Sequence, residues 1–173
     1  MLDLQEEMIG MAKIIQYSGK KKQKKGSDSM CKLLEYVRGK KPQEILSKYN
    51  QNNTIPVKIE EIIGKIGISV IPKDFTDIEN QQKVPAGTIL GALASKGDNT
   101  AIFYKSDGTY NRRRFTVAHE FAHAMLMDHD DDLPHIKYRT AYMENVETDS
   151  KIDWKLERQA NIYVGELLIP LML

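Results

Sequence analysis

Apolar residues in this chain recur at helical spacing in several separate stretches. Met8, Met11, Ala12 and Ile15 give a short amphipathic helix near the start. Leu33, Leu34, Val37, Ile45 and Leu46 follow between Met30 and Tyr49, broken by Gly39 and Pro42, so two short helical pieces are predicted there. Val57, Ile59, Ile62, Ile63 and Ile66 make a helix closed by Gly67, and Ile68 to Pro72 reads as a first strand. Asp74 to Val84 is polar and reads as loop. Thr88 to Ala94 and Thr100 to Lys105 flank Ser95–Asn99, a β-hairpin signal with glycine in the turn. Arg112 to Met127 is a long, mostly apolar helix with Asn111 as its expected N-cap. The stretch from Asp128 to Ser150 is acidic and polar, and reads as a solvated loop. Leu156, Ala160, Val164, Leu167 and Leu168 form the stripe of a last helix, with Ser150–Asp153 as a capping box before it and Pro170 ending it. The sum is an α+β fold: a small antiparallel sheet packed on a helical core.

The long helix contains His119-Glu120-Phe121-Ala122-His123, the H-E-x-x-H pattern. Residues four apart share a helix face, so the two imidazoles lie side by side where one metal ion takes a nitrogen from each. Glu120 is placed to act as general base toward a water on that ion. The apolar flanks Phe115, Val117, Ala118, Phe121, Ala122, Ala124 and Met125 bury this helix, and buried imidazoles need partners. A catalytic zinc usually takes three protein ligands. Glu157, at the border of the last helix's stripe, is the candidate third ligand; Asn161, four residues on, is the candidate hydrogen-bond partner that would orient a ligating imidazole. A two-histidine, one-carboxylate set accepts Zn2+, Mn2+ or another divalent ion. One of His135, Tyr138, Arg139 or Tyr142 could reach a developing oxyanion in a closed site, but the sequence does not choose among them and none is assigned as catalytic.

Charge and composition narrow the class. The chain has 173 residues, with 41% hydrophobic and 28% charged, which suits one soluble domain. A single cysteine, Cys31, excludes an internal disulfide and points to a reducing compartment. No apolar run reaches transmembrane length and the first residues are acidic where a signal peptide is basic, so a cytoplasmic protein is expected. Five lysines between Lys20 and Lys25 precede Gly26 and Ser27; without interleaved aromatics they read as a solvated linker rather than a nucleic-acid contact. Residues 1–29 are therefore set apart from a core domain over residues 30–173. The spacing of Asp128, Asp130, Asp131 and Asp132 lacks the glycine of a calcium loop, so no second cation site is expected there. An exposed strand edge offers a way to hold an extended peptide, but a plain hairpin fits the sequence equally.

Two segments together, RRFTVAHEFAH at 113–123 and ERQANIYVGELLIP at 157–170, resemble the ImmA/IrrE family of metallopeptidases. The resemblance implies a gluzincin-like protease with His119, His123 and Glu157 as metal ligands and Glu120 as catalytic base. It further implies a helix-turn-helix transcriptional repressor as the substrate, in a mobile-element or toxin–antitoxin setting. Family members continue beyond the L-L-x-P motif, whereas this chain ends at Leu173, so the domain reads as C-terminally short. The contrasting reading is a regulatory binding protein that sequesters a repressor on the same fold without cutting it. An intact H-E-x-x-H weighs against that, because binding alone does not need Glu120. A structural ion is a third option; structural zinc sites are usually closed by four ligands, often cysteines, and only Cys31 exists.

Overall fold

A computed structural model describes residues 37–96, 99–126, 135–140 and 154–170. The expected N-terminal helix, the lysine-rich linker, the acidic loop at 127–134 and the capping box at 150–153 lie outside the described residues.

Helix α1 spans Pro42–Tyr49. Pro42 opens it rather than breaking it: at the first turn the missing N–H has no intrahelical partner to lose. The Glu44 carboxylate closes the start by accepting the Lys41 N–H at 2.9 Å. Helix α2, Ile59–Ile66, buries Ile59, Ile62, Ile63 and Ile66 along one face. It ends at Gly67, whose φ of 103° is accessible to glycine at little cost and lets its N–H reach the Ile63 carbonyl at 3.2 Å. Strand β1 (Ser69–Lys73) follows.

The expected loop after β1 holds a short helix, α3 (Thr76–Gln81). The Asp74 carboxylate accepts the Thr76 N–H at 2.9 Å and the Thr76 hydroxyl at 2.6 Å, which starts the turn. Only Phe75 and Ile78 are apolar here, both fully buried, so the segment carries too little periodicity to read as a helix.

Strands β2 (Ile89–Lys96) and β3 (Asn99–Lys105) form the expected hairpin. The sheet order is β1-β3-β2-β4, where β4 is His135–Thr140. The sheet is mixed, not antiparallel throughout: β1 pairs with β3 in parallel. The chain crosses from β1 through α3 to β2, and the hairpin then returns β3 alongside β1 in the same direction. β4 is an unexpected edge strand in a stretch read as loop. Its pairing with β2 contains an irregularity between Ile89 and Gly91. Such a bulge shifts the side-chain alternation by one residue, so Ile89 and Ala92 both join the cluster around Phe75.

The two sheet faces are covered differently. Phe75, Ile78, Ile89, Ala92, Ala94, Ala101 and Phe103 close the α3 side. The larger core joins Leu93 and Ile102 of the sheet to α1, α2 and two further helices, α4 (Tyr110–Leu126) and α5 (Trp154–Leu168). Among the described residues no helix is long and apolar enough to cross a membrane.

Candidate metal centre

α4 begins two residues earlier than expected. Tyr110 and Asn111 are already helical, and the Thr109 hydroxyl accepts the Arg112 N–H at 3.4 Å, which corrects Asn111 as the cap. Arg112, Arg113 and Arg114, close to the start of the helix, oppose its dipole. Two have defined partners: Arg113 pairs with Glu60 of α2 (Nη2 to Oε1 2.9 Å), and Arg114 donates to the Val57 carbonyl at 3.1 Å. They tie the start of α4 to α2 and to the chain just before it.

Deeper in, the helix is buried on every side. All ten residues from Thr116 to Met125 are buried, enclosed by the sheet, α2 and α5. β2 approaches closely because Gly91 has no side chain: a Cβ there would lie 2.5 Å from Thr116 Cγ2 and 3.7 Å from Glu120 Cγ. Gly91 was not recognised as part of the site, although a glycine inside a strand is a signal of close approach.

His119 and His123 are each 1% exposed, and Glu157, on α5, is 7% exposed. The three side chains meet. His119 Nε2 lies 3.1 Å from Glu157 Oε2, His123 Nε2 lies 3.2 Å from Glu157 Oε1, and the two Nε2 atoms are 3.0 Å apart. The imidazole planes are inclined at 74° to each other, and one nitrogen of each ring forms with a Glu157 oxygen a group compact enough to hold one metal ion. The three contacts cannot all be hydrogen bonds: if each Nε2 carries a proton for its own Glu157 oxygen, the two N–H groups oppose each other at 3.0 Å. A divalent ion held by the group takes one lone pair from each. Tetrahedral ligands about 2.0–2.1 Å from zinc stand roughly 3.3 Å apart, close to the separations found. Burial holds the His119 pKa below its ordinary value of 6.5 and so favours the neutral imidazole a metal requires, although the Glu157 hydrogen bond opposes the shift.

Glu120 is also buried, at 1% exposed, on the turn of α4 that faces Gly91. It stands beside the donor cluster rather than in it. Asn161 does not fill the expected role. It is exposed, and Nδ1 of His119 and of His123 has no hydrogen-bond partner among the described residues. Four residues advance a helix by one turn plus about 40°, and that rotation carries Asn161 off the face on which Glu157 meets the imidazoles.

One further side chain enters the neighbourhood. Arg139 of β4, named in the sequence reading only as one of four undecided residues, feels both Glu120 and Glu157 electrostatically. Its guanidinium lies 4.7 Å from the centroid of the Phe115 ring.

Comparison with protein families gives a match over residues 64–172, to the M78 peptidase family, described as the IrrE N-terminal-like domain. The matched region contains the whole of α4, β4 and α5, hence every residue of the cluster. No curated protein and no solved structure matches the chain.

Proposed function

Since this chain belongs to the M78 peptidase family of IrrE N-terminal-like domains, we propose that it is a metal-dependent peptidase that cuts a helix-turn-helix transcriptional repressor. The observation that supports the chemistry best is the meeting of His119, His123 and Glu157, whose donor atoms lie 3.0–3.2 Å from one another inside the core. Three protein ligands leave a position for solvent, the mark of a catalytic rather than a structural zinc. Zinc is the first candidate; Mn2+, Fe2+ and Co2+ suit the same donor set. The repressor comes from the resemblance of the two helical motifs to the ImmA/IrrE family. That substrate places the reaction in the cytoplasm.

A bound divalent ion supplies Lewis acidity, polarising the scissile carbonyl and making a nearby water more acidic. The remaining steps belong to the chain. His119 and His123 present neutral nitrogens, and Glu157 contributes the negative charge that retains a cation. Glu120 takes a proton from the attacking water and returns it to the leaving nitrogen. Its burial keeps bulk water from competing for that proton. A protein that only sequestered the repressor would have no use for this arrangement.

The test is incubation of the zinc-loaded protein with the repressor encoded beside its gene. The expected result is two defined fragments from wild type and none from Glu120→Gln, which still holds its metal. An uncut repressor in a stable complex would establish sequestration instead.

A further inference from the structure

Arg139 stands beside the donor cluster without an assigned task. It pairs across the sheet with Gly91 of β2. Paired residues of an antiparallel ladder present their side chains to the same sheet face. At Gly91 that face is the one against α4, where Thr116 and Glu120 supply the nearest side-chain atoms. Arg139 therefore extends from the edge strand over the turn of α4 that carries Glu120.

The surroundings of the guanidinium are unusual for a structural arginine. It lies over Phe115, whose ring centroid is 6.2 Å from that of His119. Its Nε and Nη1 atoms are buried and have no hydrogen-bond partner among the described residues. A buried guanidinium normally directs its five N–H groups at carboxylates or carbonyls, because leaving them idle forfeits the compensation for desolvation. Idle donors held on an aromatic platform beside a reaction centre are preorganised for negative charge that develops only during the reaction.

We propose that Arg139 is a catalytic residue whose guanidinium, through one of these unpartnered N–H groups, donates to the oxyanion formed on the scissile carbonyl oxygen, and that Phe115 is the positioning residue that holds it there. The proposal rests on the metallopeptidase reading and deepens it. Water adds to the carbonyl carbon, the π pair moves onto oxygen, and Arg139 donates to that oxygen. When the carbonyl re-forms, the C–N bond breaks and the nitrogen leaves with the proton carried by Glu120. Arginine suits the task because it stays charged and its planar fork presents donors in a fixed direction.

Two titrations test this without a known substrate. Metal-free protein is titrated with Zn2+, and the zinc-loaded protein with methylphosphonate, a small tetrahedral oxyanion. Wild type is expected to bind methylphosphonate, Arg139→Met to bind it about tenfold or more weakly, and Arg139→Lys to fall between them. Phe115→Leu is expected to weaken binding less than Arg139→Met does. Zinc affinity in Arg139→Met should equal or exceed that of wild type, since a cation has been removed from beside the ion. An arginine that merely supported the fold would lower zinc affinity and melting temperature together. The proposal is overturned if Arg139→Met binds methylphosphonate within about threefold of wild type, if zinc-loaded wild type does not bind it, or if the variant loses its zinc. A wild type that takes up no zinc is a different result: it removes the metallopeptidase reading itself.

Discussion

Glu79 and Glu157 are both acids withdrawn from water, at 2% and 7% exposed, yet their surroundings differ in kind. Glu79, on α3, accepts the Gly87 N–H at 2.8 Å and the Ile89 N–H at 2.7 Å. Both oxygens are occupied by backbone donors, and the result is a latch that fixes the chain as it enters β2. Glu157 instead faces two imidazole nitrogens that also face each other. Its two partners are also neighbours of each other, so the three side chains form one compact set of metal donors. Burial of a charge therefore does not by itself mark a site. The partner set does: one acid holds two backbone N–H groups, and the other joins two imidazoles in a set of donors that could hold a metal ion.

That contrast is broken most severely at Glu157. Glu157→Ala is expected to lower zinc affinity by more than the roughly 10–100-fold that loss of an outer hydrogen-bonding partner costs, and to remove cleavage with it. Metal titration followed by the repressor assay checks both. Glu120→Gln separates chemistry from metal holding: cleavage should fall by about 10²–10⁴-fold, the usual contribution of a general base, while zinc content stays at the wild-type level. Glu79→Ala is the opposite case. It leaves two N–H groups without their acceptor and should cost on the order of 2–4 kcal/mol of stability, measured by urea unfolding, with zinc affinity unchanged. A loss of zinc on changing Glu79 would erase the distinction between the two acids.

Smaller effects sharpen the picture. Gly91→Ala drives a methyl against Thr116 and should destabilise by about 1–3 kcal/mol, with a fall in activity because Glu120 lies in the same contact. The pH dependence follows from His119. Its pKa in the folded state is below the ordinary 6.5 because burial disfavours the charged ring. The unfolded chain then takes the proton first, so the metal-free protein should lose stability as pH falls through about 6.5, towards the lower folded value, and recover it above that range. Urea midpoints of the metal-free protein from pH 7.5 downwards read this directly; stability that rises on acidification in that window would contradict it.

The sequence made some of these features plain and hid others for physical reasons. His119 and His123 are four apart on a strongly apolar helix, and Glu157 borders a clear stripe, so local periodicity alone brings them to mind. Asn161 borders the same stripe, but a border residue lies in or out of a seam according to a few tens of degrees of rotation, which spacing does not resolve. α3 was missed because Phe75 and Ile78 are its only anchors, and the buried Glu79 looks in sequence like one more solvated acid. β4 was missed because Arg139 looks in sequence like a solvated cation, whereas its Nε and Nη1 are buried near Glu120 and Glu157. Parallel pairing of β1 with β3 is a long-range outcome, and neither strand's own pattern contains its partner's direction.

The most direct test is the metal content of purified protein after zinc loading and removal of excess ion. One zinc per chain is expected in wild type, Glu79→Ala and Glu120→Gln, and almost none in Glu157→Ala. A wild-type chain without bound zinc, or a Glu157→Ala chain that binds as much as wild type, would contradict the claim that these two helices build a metal centre.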